Sequence, residues 1–213
     1  GDVDVKMETN YPWEGTVKIN VSTVKKMRFN MHLRIPGYVN GIAAPGALYH
    51  FADTASAKPM IKINGIAVSY TVEKGYAVIN REWKKDDVVE MTIPMAIKKI
   101  IARDELKQDN DRMALQLGPL IYCFEGADNN GKAWNFIMPA NADFKVENFK
   151  VKDESVIALV SNLPVVNVNA DGTALTTGLQ QVKAIPYYTW CNRGSNPMQV
   201  WLPVKIKDIK INN

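Results

Sequence analysis

Val17-Lys-Ile-Asn-Val21 and Phe29-Asn-Met-His-Leu-Arg-Ile35 place an apolar side chain at every second position, with Lys18, Asn20, Asn30, His32 and Arg34 between them. Successive side chains of a strand point to opposite faces, so this period gives one dry face and one wet face, whereas a helix needs a repeat near 3.6. The same reading extends to Ile61–Ile63, Val68–Val72, Tyr76–Ile79 and Val89–Ile93. Asn64-Gly65 and Lys74-Gly75 fall between these runs as hairpin-turn signals. Pro36 to Pro59 holds Gly37, Gly41, Pro45 and Gly46 and reads as a connecting loop without strands.

The rhythm breaks at Ile100–Arg112, a polar stretch suited to a short helical turn. It resumes at Met113–Phe124, Asn135–Met138, Phe144–Val151, Val156–Val160, Gln181–Ile185, Met198–Leu202 and Val204–Ile211. Gly118-Pro119 interrupts the first of these, and because proline lacks a ladder donor an edge or bulge is expected there. No amphipathic helix longer than three turns is legible. The predicted fold is all-β, two consecutive antiparallel β-sandwich domains of jelly-roll type, spanning 1–102 and 103–213.

The 213 residues, 46% of them hydrophobic, suffice for one large core or two smaller ones. A net charge of +4 without a basic stripe argues against a nucleic-acid partner. No apolar run reaches the roughly 20 residues of a membrane span. The start at Gly1-Asp2 without Met suggests a piece of a longer polypeptide. Cys123 and Cys191 form neither a disulfide framework nor a zinc-ligand spacing.

Residues able to carry chemistry are scattered. Glu125 with Asp128, Asp104 with Glu105, and Asp109 with Asp111 are close neighbours near turns, where solvated caps are the commoner role. His32 and His50 are the available imidazoles, and no Gly-x-Ser-x-Gly elbow accompanies them. Asp109-Asn110-Asp111 resembles part of a calcium loop but lacks its glycine and distal glutamate. A structural calcium ion is the one metal such a segment invites. Among the aromatics, Trp13, Trp134, Tyr187, Tyr188 and Trp190 are the candidates for stacking on a sugar ring or anchoring a domain interface.

Tyr11-Pro-Trp-Glu-Gly15, Trp83-Lys-Lys-Asp-Asp-Val-Val-Glu-Met-Thr-Ile-Pro-Met95, Arg112-Met-Ala-Leu-Gln-Leu-Gly-Pro-Leu-Ile-Tyr-Cys-Phe-Glu125 and Ile185-Pro-Tyr-Tyr-Thr-Trp-Cys-Asn-Arg193 together resemble the region after the catalytic barrel in β-L-arabinofuranosidase-like glycoside hydrolases of family 127. The resemblance implies an (α/α)6 barrel ahead of two β-sandwich modules, with a zinc-bound cysteine nucleophile in the barrel and no counterpart in these residues. It implies a non-catalytic accessory region that stabilises the barrel of the same polypeptide and borders its cleft, inactive alone and without a cofactor of its own. Plant-type arabinose-containing glycans are the implied further partner, and the periplasm or cell exterior the implied location. The alternatives are a stand-alone carbohydrate-binding module and a surface adhesion or oligomerisation module.

Overall fold

The computed structural model describes residues 1–55, 57–169 and 175–206, and the chain divides into two units. Unit 1 comprises Gly1–Pro45 and Thr54–Ala96; unit 2 comprises Gly46–Asp53 and the chain from Ile97 onward. All strand pairs are antiparallel, and the helical elements among the described residues are short 3₁₀ turns, so the fold is all-β.

Unit 1 contains β1 (Val3–Thr9), β2 (Thr16–Thr23), β3 (Met27–Arg34), β5 (Met60–Ile63), β6 (Ile66–Ala67), β7 (Thr71–Glu73), β8 (Tyr76–Trp83) and β9 (Asp87–Thr92); β4 (Tyr49–Phe51) belongs to unit 2. A five-stranded sheet, β1-β2-β9-β5-β6, and a three-stranded sheet, β3-β8-β7, share one core. Ile19, Val21, Ile61, Ile63, Val89 and Met91 from the larger sheet meet Leu33, Ala77, Ile79 and Trp83 from the smaller one. The period-two pattern therefore placed the dry face correctly: Ile19, Val21, Leu33 and Ile35 are buried while Lys18, Arg34 and His32 are exposed. The hairpin turns at Asn64-Gly65 (φ 51° and 81°) and Lys74-Gly75 (φ 50° and 81°) have positive φ at both central positions, as two-residue hairpin loops require.

Gly15, from the Tyr11–Gly15 motif, accepts a 2.7 Å hydrogen bond at its carbonyl from the Ile93 N–H. A Cβ at position 15 would collide with the Ile93 carbonyl oxygen, so the close approach of these backbones demands glycine.

Unit 2 contains β4, β10 (Ile97–Ala102), β11 (Arg112–Leu117), β12 (Leu120–Glu125), β13 (Lys145–Val151), β14 (Glu154–Val168), β15 (Leu175–Pro186), β16 (Met198–Gln199) and β17 (Leu202–Pro203). They form one nine-stranded sheet along β13-β14-β15-β12-β11-β10-β4, with β16 on β12 and β17 on β11. Its middle is buried at consecutive positions, Ala114–Leu117 and Tyr122–Glu125, so both faces are covered. Phe136 and Phe144, outside the regular strands, lay their rings against Phe124 at 6.1 and 6.4 Å and supply part of that cover.

Several expectations are corrected by these pairings. The division falls between Ala96 and Ile97 instead of after residue 102, because Ile97–Ala102 pairs forward with β11. Pro36–Pro59 is not strand-free: Tyr49–Phe51 adds to β10, with Phe51 opposite Ile100 and Tyr49 opposite Ala102, so His50 sits in a strand. Gly118-Pro119 is a hairpin turn between β11 and β12, where proline's missing donor is not needed, and not a bulge. Of the expected Val68–Val72 only Thr71 and Val72 fall in a strand, β7, and Asn135–Met138 makes a single bridge, Phe136 to Val165. The polar 103–112 stretch forms successive i to i+3 turns such as Leu106 N–H to Arg103 O, 2.9 Å. Of the expected strand Val204–Ile211, residues 207–211 lie outside the described residues.

Candidate functional site

The densest polar constellation of unit 2 sits where β12 ends. Glu125 is completely buried. Its Oε1 accepts hydrogen bonds from Asn196 Nδ2 (2.8 Å) and the Cys191 N–H (3.2 Å), and its Oε2 accepts one from Arg193 Nη2. Arg193 also forks onto Asp128, with Nη1 donating to Oδ1 at 2.6 Å and Nη2 to Oδ2. Backbone bonds finish the clamp: Gly126 N–H to Pro197 O at 2.8 Å, and Ala127 N–H to Asn196 Oδ1 at 3.0 Å. A Cβ on Gly126 would press Pro197 Cδ at 3.0 Å and the Gly131 carbonyl carbon at 3.1 Å, so glycine lets the two loops close.

Burial alone would push the Glu125 carboxyl up, but the hydrogen bonds from Arg193, Asn196 and Cys191 outweigh it and hold it below the usual carboxylate range. The paired carboxylates in turn hold the Arg193 guanidinium charged. A general acid needs a raised pKa, and a general base or nucleophile needs a free lone pair aimed at the substrate. Glu125 has neither. The cluster is a clamp that fixes the 187–197 loop. The expectation that Glu125 and Asp128 are solvated turn residues is corrected, since the Asp128 side chain is only 6% exposed. No local pattern signals this pairing, because Arg193 lies 68 residues beyond Glu125.

The clamped loop displays aromatics. Pro186 closes β15, and the buried Thr189 ties the turn through Oγ1 to the Pro186 carbonyl at 2.7 Å. Tyr187 and Trp190, 46% and 40% exposed, stack with ring centroids 6.2 Å apart and planes 11° from parallel. Tyr188 is exposed beside them and donates from its hydroxyl to Glu154 Oε1 at 2.8 Å. Trp134 is also exposed, on the loop that leads to Phe136. Trp13 is half-buried in unit 1, its N–H bonded to Asn10 O at 2.8 Å. The structure thus gathers Tyr187, Tyr188 and Trp190 on one turn.

Other ionisable groups have structural uses. Asn110 donates to the Asp104 carbonyl at 3.1 Å, and Asp111 lies 3.5 Å from Lys205 Nζ, so the Asp109–Asp111 segment does not converge on a cation site. Among the described residues no three of His, Cys, Asp and Glu gather in a metal-ligating group. Cys123 is buried, its thiol pushed up to about 12 by desolvation first and by Glu125 and Asp128 next. Cys191 is exposed, with Gly194 O 4.0 Å from its sulfur. Lys99, whose ammonium is lowered by burial, donates to the Ala140 and Ala142 carbonyls (2.6 and 2.5 Å) beside a cavity of about 310 Å³, and is a tie between loops. A thiol reagent under native conditions is expected to label Cys191 rapidly and Cys123 only on unfolding; equal labelling rates would contradict the burial of Cys123.

Residues 1–95 match the domain described as Beta-L-arabinofuranosidase, GH127 middle domain, and residues 97–203 match the Glycoside hydrolase family 127 C-terminal domain. The chain belongs to glycoside hydrolase family 127. A curated family relative is the non-reducing end β-L-arabinofuranosidase of Bifidobacterium longum subsp. longum, 29% identical over 92% of this chain and 30% of that protein. Among solved structures, a GH127 β-arabinofuranosidase superposes with a TM-score of 0.90 at 32% identity, covering 97% of this chain and 32% of that one. A family 127 β-L-arabinofuranosidase from Geobacillus stearothermophilus superposes with a TM-score of 0.80 at 31% identity, over 94% of this chain and 30% of that one. The chain therefore spans about a third of the length of these relatives, and the two matched domains meet where the structure divides, at Ala96–Ile97.

Proposed function

We propose that these two units are the non-catalytic support of a family 127 arabinofuranosidase, bracing the catalytic barrel of the same polypeptide and bordering its substrate cleft. The observation that carries this reading is the match of the two units to the middle and C-terminal domains of the family. It is joined by the state of Glu125, a fully buried carboxylate engaged by Arg193, Asn196 and the Cys191 N–H. On this reading the zinc that family resemblance implies is assigned to the barrel. Export to the periplasm or cell exterior fits an enzyme acting on plant-type arabinose-containing glycans.

Residues 1–213 alone are expected to release no arabinose from aryl β-L-arabinofuranosides, with or without added zinc. Zinc-dependent turnover by the pure chain would overturn the reading. The exposed Tyr187–Trp190 pair favours a second reading, in which unit 2 holds a glycan directly. Titration with arabinan and arabinoxylan oligosaccharides decides it. An emission change that disappears in Trp190→Ala supports glycan binding, and an unchanged spectrum assigns the ledge to contact with protein.

A further inference from the structure

We infer that Val3, Val5 and Met7 on β1 form a docking strip for the domain that precedes these units in family 127 polypeptides. The inference rests on the proposed support role and names the surface that performs it. β1 alternates without a break: Val3, Val5 and Met7 on one face, Asp4, Lys6 and Glu8 on the other. Its register on β2 sets Val5 opposite Val21 and Met7 opposite Ile19. Directly opposed residues share a face of the sheet. Val21 and Ile19 are core residues, 1% and 7% exposed, yet Val5 and Met7 on the same face are 59% and 63% exposed.

The cause is the mismatch of the two layers. The larger sheet has five strands and the facing sheet three, and among the described residues the dry face of the larger sheet continues onto β1 without being buried there. Single exposed apolar residues need no explanation, but three in register that extend a core face form a surface built to be covered. Relatives extend well beyond this chain, which covers 30–32% of them, and the unit carrying β1 is their middle domain. Polypeptide ahead of that domain enters beside β1, the first strand. The occupant assigned to the strip is an apolar element of that preceding domain, with the flexible thioether of Met7 able to fit an uneven partner.

Met7 gives a single-residue readout: its oxidation by hydrogen peroxide, followed by mass spectrometry, in residues 1–213 and in the full-length gene product. The expected result is rapid oxidation in 1–213 and at least about 10-fold slower oxidation in the full-length protein. Val5→Lys should restore rapid oxidation in the full-length protein while leaving the melting temperature of 1–213 unchanged, because Val5 is largely in water there. Equal Met7 rates in a full-length protein that cleaves arabinofuranosides would overturn the strip and leave the support reading standing. A full-length protein without a preceding catalytic domain would overturn both. Protection of Met7 that appears in 1–213 on raising its concentration, with a dimer in sedimentation, would assign the strip to a second copy and overturn the inference.

Discussion

Arg193→Ala is expected to destabilise the chain by about 3–5 kcal/mol, lowering its melting temperature by at least about 6 °C. The cost comes less from the lost attraction than from what remains. Glu125, with no exposed side-chain surface, would keep two donors, Asn196 Nδ2 and the Cys191 N–H, but lose its ion-pair partner. An uncompensated buried carboxylate is expensive, and the 187–197 loop would lose its anchor to Asp128 as well. Arg193→Lys should fall between, since an ammonium keeps the charge but cannot fork across Glu125 and Asp128. Glu125→Gln combined with Arg193→Ala should recover part of the loss, because the stranded charge is then gone. A melting temperature within 1 °C of wild type for Arg193→Ala would show the clamp to be dispensable.

The pH dependence carries the same logic with opposite signs. In the wild type the Glu125 carboxyl is held below its ordinary value, so its stabilisation is present above the ordinary glutamate range and is lost as pH falls through the lowered folded-state value. In Arg193→Ala burial dominates and raises that carboxyl, so the variant gains stability as the proton binds. The difference between the two proteins should therefore narrow from neutral pH towards pH ~4, as followed by denaturant titration at each pH. A constant difference would mean that Glu125 is not the group left stranded.

Local pattern and tertiary context divide cleanly in this chain. Alternation identified the buried faces of β2 and β3, and Asn64-Gly65 and Lys74-Gly75 marked hairpin turns because only a few residues tolerate the positive φ those loops impose. What alternation does not report is coverage. Val3, Val5 and Met7 alternate as regularly as Val17, Ile19 and Val21, yet remain exposed because the facing sheet stops short. Strand β4 was invisible for another reason: its pairing of Tyr49 with Ala102 joins residues far apart in the sequence, and three residues carry too little pattern to announce themselves. The same holds for the clamp. Glu125 and Asp128 looked like an ordinary acidic turn until Arg193 arrived from the far side of the β14–β15 hairpin. The aromatics of Ile185–Arg193 were legible as candidates from residue type; that Tyr187 and Trp190 share one ledge depends on the turn at Pro186–Thr189.

Trp83→Ala is expected to cost about 3–5 kcal/mol through loss of a large buried ring and an incompletely refilled cavity. Trp83 is fully buried at the end of β8, stacked on Phe29 with centroids 5.6 Å apart, and its indole N–H donates to the Phe29 carbonyl at 3.1 Å. It also supports charge: the Arg81 guanidinium lies 5.1 Å from its ring centre and 3.8 Å from the buried Asp87 carboxylate. Trp83→Phe should cost only about 1–2 kcal/mol, because a smaller ring retains the stack while the carbonyl loses its donor. Among the five tryptophans Trp83 alone is fully buried, so Trp83→Ala should also remove the blue edge of the emission spectrum, leaving the wetter indoles of Trp134 and Trp190. Urea denaturation followed by circular dichroism measures the first effect and fluorescence the second. If Trp83→Ala loses the blue component but less than 1 kcal/mol of stability, the two sheets of unit 1 do not depend on this shared core, and β1 could not be offered to a partner on a rigid frame.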